Sequence, residues 1–208
     1  MNRCILLVLS IWLFSCTSTK VISSWTKPGT SADQFRNIIV LAVVGDENRA
    51  LQQQMELQVA NELKTLGYNA TSFFQQNGPK ALDQGDEQAA LGQISKGGAD
   101  AILTIVLLDT AKEHQYVPGR VNYYPVTYYH RFWGYYGTMY NRLYTPGYFT
   151  TNTRYFWETN LYHANGQELV YSVRTHSFDA SSVSDLAEDY GRIIVKDMVK
   201  SGVISRRR

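Results

Sequence analysis

The stretch Ala99-Asp100-Ala101-Ile102-Leu103-Thr104-Ile105-Val106-Leu107-Leu108-Asp109 decides the fold. Its centre is almost wholly aliphatic, and an aspartate lies at or near each end. A continuous aliphatic and β-branched run of this kind is typical of a strand that is buried on both faces. Residues 38–44 (IIVLAVV) have the same character. The two runs predict a sheet with helices packed on it, the α/β (α+β) class.

The chain between these two strands predicts two helices and a further strand. Apolar residues recur at helical spacing from Leu51 to Leu66, Asp46 can cap the helix, and Gly67 lies where a C-terminal cap belongs. A strand, a loop and a shorter helix then follow at residues 68–74, 75–85 and 86–96. This order predicts right-handed crossovers between parallel strands.

A hairpin and a helix are predicted at the C-terminal end. Residues 155–163 and 168–178 alternate with period two on either side of Ala164-Asn165-Gly166. A three-residue loop is preferred because it puts the apolar residues on one face. The pairs expected from it are Leu161–Leu169, Thr159–Tyr171 and Trp157–Val173. Ser182 or Ser184 then caps a helix that ends at Gly202, with an apolar stripe at Leu186, Tyr190, Ile193, Ile194 and Met198.

The predicted organisation is one domain behind a short N-terminal leader. We assign residues 1–15 to a signal peptide, 16–24 to a tether and short edge strand, and 25–205 to a single α/β domain. An aromatic insertion occupies about 115–153, and residues 206–208 form a basic tail for which solvation is favoured. The sheet is expected to be mixed, with about five to six strands.

The N-terminal leader carries the clearest functional motif. Arg3 precedes an apolar run at 4–14, and Leu13-Phe14-Ser15-Cys16 follows. A spanning helix needs about 20 apolar residues and a signal peptide core about 7–15, so the run fits the second. The motif resembles a lipobox, which implies cleavage before Cys16 and acylation of that residue. An uncleaved anchor or a plain signal peptide with an incidental Cys16 is the alternative.

Composition narrows the function classes. The formal net charge is +2, so no strong field attracts nucleic acid, and we expect no nucleic-acid partner. The two cysteines are Cys4, which leaves with the signal, and Cys16, which would be acylated. The mature domain is therefore expected to have no disulfide and no thiolate site.

Catalytic motifs are absent from the sequence. We find no G-x-S-x-G elbow, no phosphate loop, no H-x-K repeat and no H-E-x-x-H pair. Asp100 and Asp109 flank the core strand, where capping is a commoner role than acid–base chemistry. Glu158 and Arg174 are expected to form a diagonal cross-strand pair on the face away from the core. The sequence predicts a protein that is not an enzyme and that has no cofactor and no metal.

The aromatic insertion is the most unusual part of the sequence. Residues 116–149 contain ten of the 15 tyrosines, and no Asp or Glu occurs between Glu113 and Glu158. A loop of this length inside a compact domain is usually functional or disordered. The candidate binding residues are Tyr123, Tyr124, Tyr128, Tyr129, Arg131, Trp133, Tyr135, Tyr136 and Tyr140.

Four interpretations of the insertion stay open at the sequence level. Tyr, Trp and Arg are enriched at protein interfaces, which favours a partner-docking platform. Tyrosine rings also stack on sugars, which favours a glycan or peptidoglycan binder. Aromatic residues with arginine suit the membrane interface as well. Finally, the insertion can pack on its own sheet and have no binding role.

The whole pattern resembles a group of uncharacterised Gram-negative envelope lipoproteins. The matching features are the lipobox, Ser23-Ser24-Trp25, Gly98-Ala99-Asp100-Ala101-Ile102-Leu103, Tyr116-Val117-Pro118-Gly119 and Glu158-Thr159-Asn160-Leu161-Tyr162. The order of elements is also similar to the amino-terminal domain of TolB and to curli-secretion and peptidoglycan-synthase-activating lipoproteins. The resemblance implies a lipid-anchored protein of the outer membrane that faces the periplasm. We expect a non-catalytic assembly, scaffolding or partner-docking factor, or alternatively a cell-wall or polysaccharide-binding module.

Overall fold

The computed structural model describes residues 18–45, 48–78, 97–117, 148–165, 168–178 and 182–207. Its strands and helices, in chain order, are β1 (Thr19–Thr26), β2 (Asn37–Val43), α1 (Arg49–Thr65), β3 (Asn69–Ser72), α2 (Phe73–Asn77), β4 (Ala101–Val117), β5 (Tyr148–His163), β6 (Leu169–Phe178) and α3 (Val183–Lys200). A short 3-10 turn, Ala32–Gln34, precedes β2.

All six strands belong to one mixed sheet with the order β1-β6-β5-β4-β2-β3. β2 runs parallel to β3 and β4, and the remaining neighbours are antiparallel. The predicted α/β class with a mixed sheet is confirmed. β1 and β3 form the two edges of this sheet.

The main core lies between one face of the sheet and the helices α1 and α3. The helical stripes predicted from the sequence supply its buried side chains, which include Met55, Val59, Leu63, Leu186, Tyr190, Ile194 and Met198. Burial of each large aliphatic side chain contributes about 1.5–3 kcal/mol. The two helices approach closely at Gly191, where a Cβ atom would lie 3.3 Å from the backbone carbon of Gln58. A side chain at position 191 would therefore need the two helix backbones to move apart by a few tenths of an ångström.

The other face of the sheet carries a smaller apolar cluster of Ile39, Leu41, Phe73 and Ile102. β2 is buried on both faces from Ile38 to Ala42, but the predicted buried run does not extend to its end, because Val43 is 50% exposed. β4 differs from the prediction, because Ile105 is buried but Val106 is half-buried and Leu108 is 52% exposed. The apolar run of β4 continues past the part of the sheet that is covered on both faces.

The register of the β5–β6 hairpin is the clearest error of the sequence analysis. Trp157 lies opposite Thr175 and Thr159 opposite Val173, so each β5 residue pairs two positions further along β6 than predicted. A bulge between Leu161 and Tyr162 accompanies this shift. Because the shift is even, the apolar side chains stay on the predicted face. Trp157, Leu161 and Val173 are all buried.

Two further boundaries differ from the sequence analysis. Residues 73–77 form α2 rather than the end of a strand and a loop, because Ser72 Oγ accepts a hydrogen bond of 3.1 Å from Gln75 N and caps the helix. β4 and β5 continue into the predicted insertion as a paired arm that reaches Val117 and Tyr148. The proposed cap Asp46 and the predicted helix at 86–96 lie outside the described residues.

The C-terminal elements follow the prediction more closely. Ser182 caps α3, and its side chain accepts a hydrogen bond of 3.1 Å from Asp185 N. Gly202 adopts a positive φ of 72° after the helix, as expected of a terminating glycine. The predicted tail is not simply solvated, because Arg207 packs back against the body of the domain.

Candidate functional site

The residues singled out from the sequence fall outside the part of the chain that the structure describes. They are Cys16, Tyr123, Tyr124, Tyr128, Tyr129, Arg131, Trp133, Tyr135, Tyr136 and Tyr140. Lipidation of Cys16 and binding by the insertion therefore stay predictions. The structure fixes the two strand ends from which the insertion leaves, since Val117 pairs with Tyr148.

The described residues present another candidate surface along the edge strand β1. Its side chains Val21, Ile22 and Trp25 are 39%, 56% and 47% exposed. These are three of the seven large hydrophobic residues found exposed within the described ranges. β1 pairs with β6 on one side, and no strand among the described residues pairs with its other side. Single exposed apolar residues are common, but a concentration of them on one edge strand marks an interaction surface.

β1 contains a β-bulge between Val21 and Ser23. Val21 lies opposite Thr175 and Ser23 opposite Arg174, so Ile22 is the extra residue that no β6 residue faces. Bulges re-aim side chains and are frequent at sheet edges. Ile22 is the most exposed large hydrophobic residue of the described chain.

Two aspartates of α3 hold β1 in place. Asp189 Oδ2 accepts hydrogen bonds from Ser18 Oγ at 3.1 Å and from the backbone nitrogen of Thr19 at 2.7 Å. Further along the helix, Asp197 Oδ2 accepts from Ser24 Oγ at 2.8 Å and from the Tyr171 hydroxyl at 2.7 Å. The edge strand is therefore fixed near both of its ends.

The Tyr171 hydroxyl is a permanent donor to Asp197. Burial and the neighbouring Asp197 carboxylate raise the pKa of Tyr171 far above its usual range. The phenol thus keeps its proton at any physiological pH. Because Tyr171 belongs to β6 and its own ring is buried in the core, this bond ties α3, β6 and β1 together.

A basic and aromatic corner lies beside the start of β1. Lys20 Nζ is 5.8 Å and Arg154 Cζ is 4.6 Å from the centre of the Phe178 ring, distances that suit cation–π interactions. The His176 ring centre is 4.5 Å from that of Phe178. Burial, with Arg154 and Lys20 nearby, lowers the pKa of His176, so the imidazole is neutral near pH 7.

Asp100, one of the two aspartates considered for acid–base chemistry, accepts hydrogen bonds that give it a structural role. Asp100 Oδ2 accepts from the backbone nitrogen of Arg36 at 2.8 Å, and its Oδ1 accepts from that of Asn37 at 3.0 Å. This is the capping role that the sequence favoured.

Glu158 faces Arg174 directly, with 2.8 Å between Oε2 and Nε, and the Arg174 hydrogen bond lowers the pKa of Glu158. The predicted cross-strand pair is therefore present, but its residues are directly opposite rather than diagonal because the register is shifted by two residues.

The described residues contain neither a metal-ligand cluster nor a membrane-spanning helix. Within those ranges, His, Cys, Asp and Glu residues do not cluster in threes that could hold a metal ion. None of the described helices is long and apolar enough to cross a membrane.

Sequence reasoning assigned β1 as an edge strand but did not identify it as a candidate site. The available signal was the motif Val21-Ile22-Ser23-Ser24-Trp25, which places bulky apolar residues at an edge where polar residues are expected. Its proximity to Cys16 was visible as well, since only three residues separate Cys16 from Lys20.

The chain is similar to several solved structures at low identity. No protein-family model matches it, and no curated protein matches it. A PelC dodecamer from Paraburkholderia phytofirmans is 12% identical with a TM-score of 0.46, covering 91% of this chain and 99% of that one. Lipoprotein GNA1162 from Neisseria meningitidis is 17% identical with a TM-score of 0.42, covering 79% and 99%. With TM-scores below 0.5, these likenesses support no inference about function.

Proposed function

We propose that this chain is a non-catalytic, lipid-anchored protein of the bacterial outer membrane that faces the periplasm and docks a protein partner along β1. The observation that carries the proposal is the exposure of Ile22 and Trp25 on an edge strand that α3 holds in a fixed position. An unpaired edge offers backbone groups as well as side chains, which is the basis of recognition by strand addition. Tryptophan is among the residue types enriched at interface hot spots.

The position of the lipobox cysteine adds to this proposal. Cys16 precedes Thr19, the first residue of β1, by three residues. An extended chain spans at most about 3.3–3.6 Å per residue, so the two Cα atoms lie within roughly 11 Å of each other. An acylated Cys16 would therefore hold the start of β1 next to the bilayer. A docked partner would then be recruited to the membrane surface.

The anchor has a direct test. We expect Cys16→Ala to release the protein from the membrane fraction or to leave it unprocessed. The same change at Cys4, Cys4→Ala, is the matched control and should leave the mature, membrane-bound form intact. If the Cys16→Ala protein stays membrane-bound with the mass of the lipid-modified wild type, the lipoprotein proposal is wrong.

The docking edge is tested by charge substitution. Co-purification from solubilised envelopes should recover a stoichiometric protein partner with the wild type but not with the double variant Ile22→Lys/Trp25→Lys. The double variant Val183→Lys/Val199→Lys changes two exposed apolar residues of α3 and should retain the partner. Equal recovery with both double variants would contradict docking at β1.

A cell-wall or polysaccharide-binding module is the second candidate function. It was motivated by the tyrosines of the insertion, which lie outside the described residues. Sedimentation with purified peptidoglycan tests it. Loss of sedimentation in Tyr128→Ser/Tyr129→Ser/Tyr135→Ser/Tyr136→Ser, with an unchanged thermal melt, would favour this function over protein docking.

A further inference from the structure

A basic cleft lies near the sheet edge formed by β3, away from β1. Its volume is about 410 Å³, and it is lined by Arg36, Asn37, Gly67, Asn69 and Arg207. Sites for small ligands typically measure about 300–1,000 Å³. No carboxylate is among these lining residues, so the two guanidinium groups give the cleft a positive charge. We call it the arginine cleft.

Arg207 is held in position by the body of the domain. Its backbone nitrogen donates to Leu66 O at 2.8 Å, and its Nη2 donates to Phe35 O. Its guanidinium also lies over the Tyr68 ring, with 4.8 Å between Cζ and the ring centre. Tyr68 is fixed in turn, because its hydroxyl accepts a 3.0 Å hydrogen bond from Ser205 N. The guanidinium is therefore ordered before any ligand arrives.

One donor of this ordered guanidinium is unused. The buried Nε of Arg207 has no hydrogen-bond partner in the described part of the chain. This nitrogen has almost no accessible surface, so a ligand in the open cleft would meet the charge of the guanidinium group rather than this N–H group. Hydrogen bonds between a guanidinium and an oxyanion are charge-assisted and strong.

Gly67 allows the tail to reach this position. Its φ of +90° lies in the left-handed region, and a Cβ atom here would be 3.0 Å from Cβ of Arg207. A side chain at position 67 would therefore push Arg207 away and fill the cleft. With glycine at position 67, Arg207 can lie close to the backbone and the cleft stays open.

The two asparagines add neutral donors and acceptors. Asn69 Nδ2 donates to Asn37 Oδ1 at 2.9 Å, which leaves the Asn37 amide group as a donor and the Asn69 carbonyl as an acceptor. The carboxylate of Asp100 accepts hydrogen bonds from the backbone nitrogens of Arg36 and Asn37, two residues that line the cleft. Paired carboxamides of this kind suit the hydroxyl groups of a sugar.

From this arrangement we infer that the arginine cleft binds an anionic saccharide, with its carboxylate or phosphate between Arg36 and Arg207 and its hydroxyl groups on the two asparagines. This inference goes beyond the docking of a protein at β1. The two sites are also separated in the sheet, because β6, β5 and β4 lie between β1 and β2. Thr19, at the start of β1, is level with Thr110 in the middle of β4, and Trp25 is level with Thr104. Asn37 is level with the residue before Ala101, so Thr19 and Asn37 are roughly 30 Å apart along the strands.

The orientation of the cleft rests on the proposed lipid anchor. If Cys16 is acylated, the start of β1 lies at the bilayer and the arginine cleft faces away from it. A polymer in the periplasm, rather than a lipid headgroup of the same membrane, would then be presented to the cleft. Binding of a soluble saccharide can be measured without this assumption, so a failure of the anchor leaves the inference testable.

Isothermal titration of the full-length protein in detergent tests the inference. The probes are oligogalacturonate for a carboxylate, glucose 6-phosphate for a phosphate, and a neutral malto-oligosaccharide. We expect one of the two anionic probes to bind, and the one that binds identifies the oxyanion. The neutral probe should bind at least tenfold more weakly. Equal binding of the neutral probe, or no binding of either anionic probe, would overturn the inference.

Matched variants locate the site. Arg207→Gln and the exposed Arg36→Gln should each weaken anion binding about tenfold, the effect of losing one charge-assisted hydrogen bond. Arg206→Gln removes the same charge one residue away, outside the cleft lining, and should bind like the wild type. Thermal melts show whether each variant is folded. If Arg207→Gln does not fold, Arg36→Gln alone tests the site. Equal losses in Arg206→Gln and Arg36→Gln would show unspecific attraction and contradict the site.

Discussion

The two edges of the sheet differ in the way they meet solvent. β3 has four residues, Asn69-Ala70-Thr71-Ser72, and α2 begins directly after it. β1 has eight residues and exposes Val21, Ile22 and Trp25. Proteins usually protect sheet edges with short strands, polar residues, lysine or bulges. β3 follows this pattern, whereas β1 has Lys20 and a bulge but keeps apolar side chains at its surface.

The difference is the reason for proposing the docking site at β1 rather than at β3. A short polar strand closes the sheet and needs no cover. A longer edge strand that is fixed by α3 and exposes three apolar side chains lowers solubility unless something binds it, and for this reason we propose protein docking at β1. The β3 edge instead carries polar and cationic groups, which suit a small anionic ligand better than a protein surface.

Carboxylates hold both edges, but in different surroundings. Glu56 of α1 is buried and accepts from Ala42 N at 2.9 Å on β2, and from Ser72 Oγ and Phe74 N, both at 2.7 Å, beside β3. The aspartates that hold β1 are only partly buried. Loss of the carboxylate should therefore cost more stability at the β3 edge than at β1.

The largest effect is expected from a change that releases both edges at once. Ile105 of β4 is buried between the sheet and the helices, so Ile105→Asp would bury an unpaired charge. Such a charge costs several kcal/mol, comparable with the roughly 5–15 kcal/mol stability of a domain. We expect no folded protein by circular dichroism. Val106→Asp, on the half-buried opposite face of the same strand, should still fold, and identical behaviour of the two variants would contradict this assignment of faces.

The next effect concerns the β3 edge alone. Glu56→Gln places an amide donor against the donors that now point at the carboxylate, which should lower the free energy of unfolding by about 1–3 kcal/mol. Glu62→Gln on the same helix is the matched control and should change it by less than about 0.5 kcal/mol. Urea denaturation measures both. A neutral Glu56→Gln would show that the carboxylate does not hold this edge.

The same carboxylate gives the β3 edge a dependence on pH. Burial raises the pKa of Glu56 above its usual range, although its hydrogen-bond donors oppose this shift. A raised pKa in the folded state means that the folded protein binds the proton more tightly than the unfolded chain does. The contribution of Glu56 to the free energy of unfolding therefore falls as pH rises above about 4.5. The stability advantage of the wild type over Glu56→Gln should therefore grow as pH falls from 7 toward 5. An advantage that shrinks over this range would contradict the sign.

A smaller effect is expected at the β1 edge. Asp197→Ala removes the acceptor of Ser24 Oγ and of the partly buried Tyr171 hydroxyl. We expect a loss of about 1 kcal/mol, the net value of a typical hydrogen bond. Protection of β1 amides from hydrogen exchange should fall more than that of β3 amides. Glu188→Ala, at an exposed position of α3, is the control and should leave both edges unchanged.

The smallest effect on stability is expected from the docking residues themselves. Ile22→Lys/Trp25→Lys should change the free energy of unfolding by less than about 1 kcal/mol, because roughly half of each side chain is already in solvent. A thermal melt measures this. A loss of several kcal/mol would mean that these side chains pack on the domain, and the proposed difference between the two edges would disappear.

The parts of the fold that depend on local patterns could be predicted from the sequence. The stripes of α1 and α3, the cap at Ser182 and the buried run of β2 follow from residue spacing. The hairpin register could not be predicted, because the bulge after Leu161 depends on how β5 meets its neighbours. The prediction of which side chains face the core was still right, because it depends only on the alternation of residues along each strand.

The candidate sites were harder to predict for the same reason. Exposure of Ile22 depends on what covers β1, and this is decided by strand order rather than by local sequence. Arg207 looks like part of a solvated tail, yet its partners Phe35 and Tyr68 are distant in the chain. The residues next to Arg207 in the sequence do not predict these contacts with Phe35 and Tyr68.

Site-specific photocrosslinking in intact cells tests the central claim most directly. A photoreactive amino acid at Ile22 should give one discrete protein adduct, whereas the same probe at Val199, an exposed apolar residue of α3, should give none. The Ile22 adduct should disappear when Trp25→Lys is added. Adducts of equal yield from Ile22 and Val199, or crosslinks from Ile22 to lipid alone, would contradict docking of a protein along β1.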